Sequence, residues 1–177
     1  MTNKEIKDTV IAIGFKQDSK NTEVFTKSYD KIKYDISVDL SKDKIDYGNL
    51  IKRGDETTSN LQHPENLVVL ECVNRLIEKG YKPNDLTLEK KWKLGRTAKS
   101  GKADITVKGK DGKTLLIIEC KTWGQEFTKE LENMKSNGGQ LFSYFQQDKN
   151  TRYLCLYASR LNNKKIEKIN ALVKVED

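Results

Sequence analysis

Two β-forming segments joined by Lys110-Asp111-Gly112-Lys113 constrain this chain more than any other feature. Ala103-Asp104-Ile105-Thr106-Val107 precedes the joint, and Thr114-Leu115-Leu116-Ile117-Ile118-Glu119-Cys120-Lys121 follows it. Asp-Gly between β-formers signals a two-residue hairpin turn. With Asp111 and Gly112 as the loop, Lys110 faces Lys113. Counting back along both strands then pairs Asp104 with Glu119 and Lys102 with Lys121. Directly opposed residues hold their Cβ atoms about 4.5–5.5 Å apart on one face of the sheet. The second segment is apolar on both faces, which marks a central strand.

Two carboxylates so placed repel one another. At ~5 Å and an effective dielectric near 20 the repulsion is roughly 3 kcal/mol. A divalent hard cation is the natural occupant of such a gap. Mg²⁺ takes one or two carboxylates and keeps waters for a phosphate substrate, and Mn²⁺ would substitute. Lys121 leaves the strand on the same face as Glu119, two residues on. Its ammonium can orient or help deprotonate a water there, or stabilise charge developing on phosphate. The competing reading is a pair of rim acids neutralised by Lys102 and Lys121. Glu-x-Lys alone means little here, since it recurs at Glu5/Lys7 and Glu89/Lys91.

The remaining elements follow from periodicity and breakers. Thr2 to Ala12 predicts a helix with Ile6, Val10 and Ile13 on one face and Gly14 as its stop. Ile32 to Leu40 alternates apolar and polar, a half-buried strand, and Val24-Phe25 and Ile45-Asp46-Tyr47 extend it into a small antiparallel meander. The polar stretch Lys52 to Asn60 reads as a linker, dividing an accessory unit (1–59) from a main unit (60–177). Pro64 opens a helix running to about Lys79, ended by Gly80. Strands are predicted at Leu86–Trp92 and Tyr153–Tyr157. Helix is predicted from Phe127 to about Gln147, interrupted near Gly138-Gly139, and again from Lys164 to Val173. The order of helix, three strands, helix and strand makes an α/β sandwich around a mixed sheet.

Charge narrows the class of partner. The chain has 177 residues and a formal charge of +7. A polyanion is one explanation and a solvated lysine-rich surface another. The loop from Lys93 to Lys102 carries Lys93, Arg96, Lys99 and Lys102 with no acid, and leads straight into Asp104. With Lys91 just before it, the loop forms a candidate cradle for a phosphate backbone. No apolar run approaches the roughly 18 residues of a membrane span, and no secretory leader is visible. Three dispersed cysteines suit a reducing cytoplasm, and a single histidine disfavours imidazole-rich zinc sites.

Asp104 followed by Glu119-x-Lys121 resembles the PD-(D/E)xK nuclease motif. Gly101-x-x-Asp104, then Glu119-x-Lys121, then Gln140-Leu141-Phe142-Ser143-Tyr144 as Gln-x-x-x-Tyr, is similar to the RecB-type branch. That branch includes the nuclease domain of type I restriction R subunits. The stretch from about Asn60 to Tyr157 resembles the nuclease region of restriction proteins that carry an N6-adenine methylase further along the chain. Ala103 stands where the motif's name has proline. The resemblance implies a restriction-endonuclease-like core, αβββαβ, with a central mixed four-stranded sheet flanked by helices. It implies Asp104 and Glu119 as metal holders, Lys121 as the catalytic lysine, and Gln140 and Tyr144 as supports. Residues 140 and 144 are one helical turn apart and share a face. Double-stranded DNA is the implied substrate. The implied partners are methylase and specificity regions of the same longer polypeptide or complex.

Glu71 sits in the apolar run Leu67 to Val73, either turned to solvent or aimed at the site as a further metal ligand. Glu65 and Glu78 lie nearer the helix ends. Trp123 stacks on a base or caps the core, His63 is a helix cap or a surface residue, and Cys120 faces away from the acids. The sequence therefore points to a Mg²⁺-dependent DNA endonuclease domain that hydrolyses phosphodiesters through a metal-activated water. Its rivals are a nuclease fold that grips nucleic acid without cutting, and a structure-specific nuclease such as a junction resolvase.

Overall fold

The computed structural model describes residues 1–92 and 101–175. The first helix, α1 (Asn3–Ile13), is closed at its start by a reciprocal pair. The Glu5 N–H donates to the Thr2 hydroxyl, and the Thr2 N–H donates to the Glu5 carboxylate. Two donors that the first turn leaves open are thereby satisfied. Gly14 ends the helix at φ +107°, a left-handed position that suits glycine. Strands β1 (Lys16–Gln17), β2 (Val24–Tyr29), β3 (Tyr34–Asp39) and β4 (Lys44–Asp46) form an antiparallel sheet in sequential order, the expected meander plus one short strand. Tyr34, Ile36 and Val38 of β3 are buried in strict alternation.

The polar stretch expected as a linker contains β5 (Lys52–Arg53), which pairs in parallel with β6 (Leu86–Lys91). Gly54 continues the contact, its N–H donating to the Leu88 carbonyl at 2.8 Å. Between them runs α2 (Pro64–Glu78), which starts at Pro64 and is buried almost all round. A helix without a polar face belongs in an interior.

The second sheet has the order β10-β9-β8-β7-β6-β5, with β7 (Lys102–Lys108), β8 (Thr114–Cys120), β9 (Tyr153–Asn162) and β10 (Lys165–Lys174). It is mixed. β8 and β9 run parallel, and β6–β7, β7–β8 and β9–β10 run antiparallel. A parallel pair needs a crossover, supplied by α3 (Gln125–Asn137) and α4 (Gly139–Gln147). The protein is thus α/β, as expected.

The helix expected over Lys164–Val173 is instead β10. Asn163 and Lys164 take φ of +48° and +63°, the two left-handed positions of a tight hairpin loop. Ten residue pairs from Asn162–Lys165 to Tyr153–Lys174 follow. Ile166, Ile169 and Val173 satisfy helical spacing, but β9 offers an unpaired ladder that an isolated short helix cannot match. With β5 and β10 added, the expected four-stranded sheet has six strands.

One apolar cluster joins Val10, Phe25, Ile36 and Tyr47 to Leu70, Leu88, Ile105 and Ile118. It covers the α2 face of the large sheet. A second cluster places Phe127, Leu141 and Tyr144 of α3 and α4 against Ile117, Leu154 and Leu156 on the other face. Among the described residues, no helix is long and apolar enough to cross a membrane.

Candidate active site

The hairpin between β7 and β8 turns differently from expectation yet delivers the same register. The Gly112 N–H donates to the Gly109 carbonyl and the Gly109 N–H to the Lys113 carbonyl. The loop is therefore Lys110 to Gly112, three residues, with Gly112 at φ +76°. Lys108 then faces Thr114, and β8 takes one extra residue, Leu115, before Val107 faces Leu116. The bulge offsets the longer loop. Thr106 faces Ile117 and Ile105 faces Ile118, and the same register carried one residue further sets Asp104 opposite Glu119. By the period of two, Glu119 leaves on the face of Ile117, toward α3 and α4.

At this rung side chains replace the backbone ladder. The Cys120 N–H donates to Asp104 Oδ2 at 2.7 Å. Lys121 Nζ lies 2.6 Å from Glu119 Oε1. Glu119 is only 3% exposed, and its Oε2 is buried with no hydrogen-bond partner among the described residues. Burial and the Glu119 charge raise the Asp104 carboxyl well above its usual range, against the Cys120 N–H. Burial pushes Glu119 up to about 7 although Lys121 opposes the rise. Burial works against the Lys121 ammonium, but Glu119 outweighs it and holds the proton on.

The first turn of α2 brings Glu65 close. Its charge raises both Asp104 and Glu119, and burial raises its own carboxyl while Lys121 lowers it. Glu71 is not brought there. The Tyr157 hydroxyl donates to Glu71 Oε2, and Arg75 Nε lies 3.8 Å from Oε1. Tyr157 belongs to the cluster on the α2 face, opposite the acid pair. α2 thus carries three acids, Glu65, Glu71 and Glu78, and Glu65 in its first turn is the one whose charge reaches the pair.

From α4, Tyr144 is buried and stacks on Trp92 with centroids 5.5 Å apart. Desolvation, followed by the charges of Glu119 and Asp104, raises its hydroxyl. A Cβ on Gly101 would lie 2.8 Å from its ring, so the glycine of Gly-x-x-Asp lets β7 pass beneath it. Gln140 is exposed, and its backbone N–H donates to Glu130 Oε1 at 2.9 Å. Buried Glu130 therefore caps α4 and raises Glu119. Nothing in the charged run Thr128 to Glu132 singled it out.

Glu89 was also missed. β6 pairs Leu88 with Ile105 and Lys90 with Ala103, which sets Glu89 beside Asp104. Glu89 is 2% exposed and takes φ +52°, a conformation that costs a non-glycine residue free energy. Its carbonyl passes Gly54 so closely that a Cβ there would lie 1.9 Å away. Of the expected DNA contacts, Lys91 and Lys102 are cross-strand partners held by acids, and Lys93, Arg96 and Lys99 lie outside the described residues. His63 precedes α2 without a side-chain capping bond. Trp123 packs at the edge of the second cluster beneath the Arg160 guanidinium, 4.4 Å from its centroid.

No group of three or more His, Cys, Asp or Glu side chains gathers as a metal site among the described residues. A Mg²⁺ site needs only one or two carboxylates, because waters and phosphate complete its shell. The unpartnered Glu119 Oε2 fits that need. The profile described as Type I restriction enzyme R protein N terminus matches residues 64–171, from the first residue of α2 into β10. A search of curated proteins finds no match to the chain.

Proposed function

Because the chain belongs to the type I restriction enzyme R protein N-terminus family, we propose that it is the DNA-cleaving domain of a restriction system and hydrolyses phosphodiester bonds. The family makes it nuclease-type. The residues argue for metal-dependent cleavage of double-stranded DNA on a PD-(D/E)xK core built from α2, β6 to β8, the α3–α4 crossover and β9. One observation carries the reading: Asp104 beside the buried Glu119, with Lys121 on one glutamate oxygen and no hydrogen-bond partner on the other among the described residues.

Asp104 and Glu119 would hold Mg²⁺ or Mn²⁺, which would supply Lewis-acid charge and a more acidic water. Lys121 keeps its proton and sets positive charge beside the acids, suited to a phosphate gaining negative charge. The Cys120 N–H fixes the Asp104 carboxylate, and the Trp92–Tyr144 stack closes one wall. Glu65 is the further acid that α2 offers. Methylase and specificity regions of the same polypeptide or complex would choose the sequence to be cut.

The test is plasmid cleavage by the intact protein with Mg²⁺. Asp104→Asn, Glu119→Gln and Lys121→Met should each reduce cutting by at least about 100-fold, a loss typical of removing an electrostatic group from a site, while DNA binding persists. Wild-type cutting by Glu119→Gln would overturn the assignment. Wild-type protein that binds DNA and never cuts it would leave a binding module.

A further inference from the structure

Lys91 and Lys102 face each other across β6 and β7. Like charges directly opposite destabilise a sheet unless an anion joins them. Two anions do. Lys102 Nζ lies 2.7 Å from Glu89 Oε2, and this acid is part of β6 and sealed from solvent. The second is Asp55, from the loop after β5. Its Oδ2 lies 3.0 Å from Lys91 Nζ and 3.2 Å from Lys102 Nζ. The Thr57 N–H and hydroxyl donate to Asp55 Oδ1, which shapes the loop around the carboxylate. Partial burial works against the Asp55 charge, but Thr57 and the two ammoniums hold its carboxyl well below the usual range.

This arrangement is what a phosphate would meet: two ammoniums converging on one anionic group, at a partly open surface. The Asp55 side chain is 26% exposed and that of Lys91 50%. Lys102 precedes Asp104 by two residues, about 7 Å along the strand. That is the reach of a backbone phosphate next to the one being cleaved. Glu89 is fixed within β6 and sealed from solvent, whereas Asp55 lies outside the strands and its partly exposed side chain can be displaced from the solvent side.

We propose that Asp55 stands in for a DNA phosphate in the free protein, holding Lys91 and Lys102 in position and yielding them when a backbone phosphate arrives. This rests on the nuclease reading above and adds a control on it. The loop acid lowers affinity for DNA and removes two cations from non-specific contact with other polyanions.

Binding of the full chain to a short fluorescent duplex of random sequence, in EDTA and over a salt series, tests the latch. Asp55→Asn should bind at least about fivefold tighter at low salt. The slope of log affinity against log salt should steepen by about 1, because no carboxylate recruits a cation when DNA displaces it. Asp55→Glu retains the charge and should match the wild type. Lys91→Gln in the Asp55→Asn background should erase the gain. Should Asp55→Asn not fold, Asp55→Ser, which keeps a short hydrogen-bonding side chain, carries the same expectation. Wild-type or weaker affinity in Asp55→Asn, with the wild type binding normally, overturns the latch alone. Absence of DNA binding by the wild type at low salt overturns the nuclease reading beneath it.

Discussion

Glu119 stays largely protonated in the folded chain at a pH where a free glutamate has ionised. Burial drives this, and Glu65 and Glu130 add to it, against Lys121. From the ordinary 4.5 up to about 7, the folded state therefore binds a proton that the unfolded state has released. Stability falls as pH rises through that window, because the unfolded state holds fewer protons there. A rise of this size is worth on the order of 3 kcal/mol. Asp104 is raised as well, so the two acids titrate as a pair. Thermal melts without divalent cations should show the midpoint dropping by several degrees between about pH 5 and pH 8. Glu119→Gln should remove most of that slope, and Mg²⁺ added at the upper pH should recover the lost midpoint. A slope that survives the substitution would mean that Glu119 is not the group titrating. The residues read directly from sequence, Asp104, Glu119 and Lys121, share one hairpin, where strand periodicity sets which side chains meet. Glu65, Glu89 and Glu130 arrive from other elements, and no local pattern announces them.

Hairpin chemistry decides the elements around the site. Asp111-Gly112 correctly marked a turn, but the loop took three residues and the bulge at Leu115 compensated. A strand apolar on both faces and buried in a sheet tolerates one extra residue better than a flipped register, which would turn Glu119 toward the α2 face. The β9–β10 turn was missed because Asn163-Lys164 lacks the glycine that usually announces such a loop. Lys164 bears the strain of a left-handed backbone that glycine would not. Lys164→Gly should therefore raise stability by about 0.5–1 kcal/mol, read as a small increase in urea midpoint at unchanged m value. A decrease would mean that the lysine side chain contributes something the backbone geometry does not show.

At the scale of the molecule, the small sheet and the large sheet share one apolar cluster, with α2 buried in it. Phe25 of β2 is fully buried there, far in sequence from Asp104. Phe25→Ala should cost about 3–5 kcal/mol. It should also lower a single cooperative melt rather than split it, with DNA binding lost along the same curve. Two separable transitions would show that residues 1–59 fold as a unit of their own.

The amino-acid sequence by itself determined what lies within the β7–β8 pair or at a helix boundary: the acid pair, the lysine beside it, the stops at Gly14 and Gly80, the start at Pro64, and the meander. These depend on side chains a few residues apart, whose geometry the backbone period dictates. Tertiary structure alone decided which acid of α2 faces the pair, that the last segment became a strand, and that Asp55 grips two lysines. Those outcomes depend on which distant surfaces meet, and burial and charge select among local alternatives only once they do.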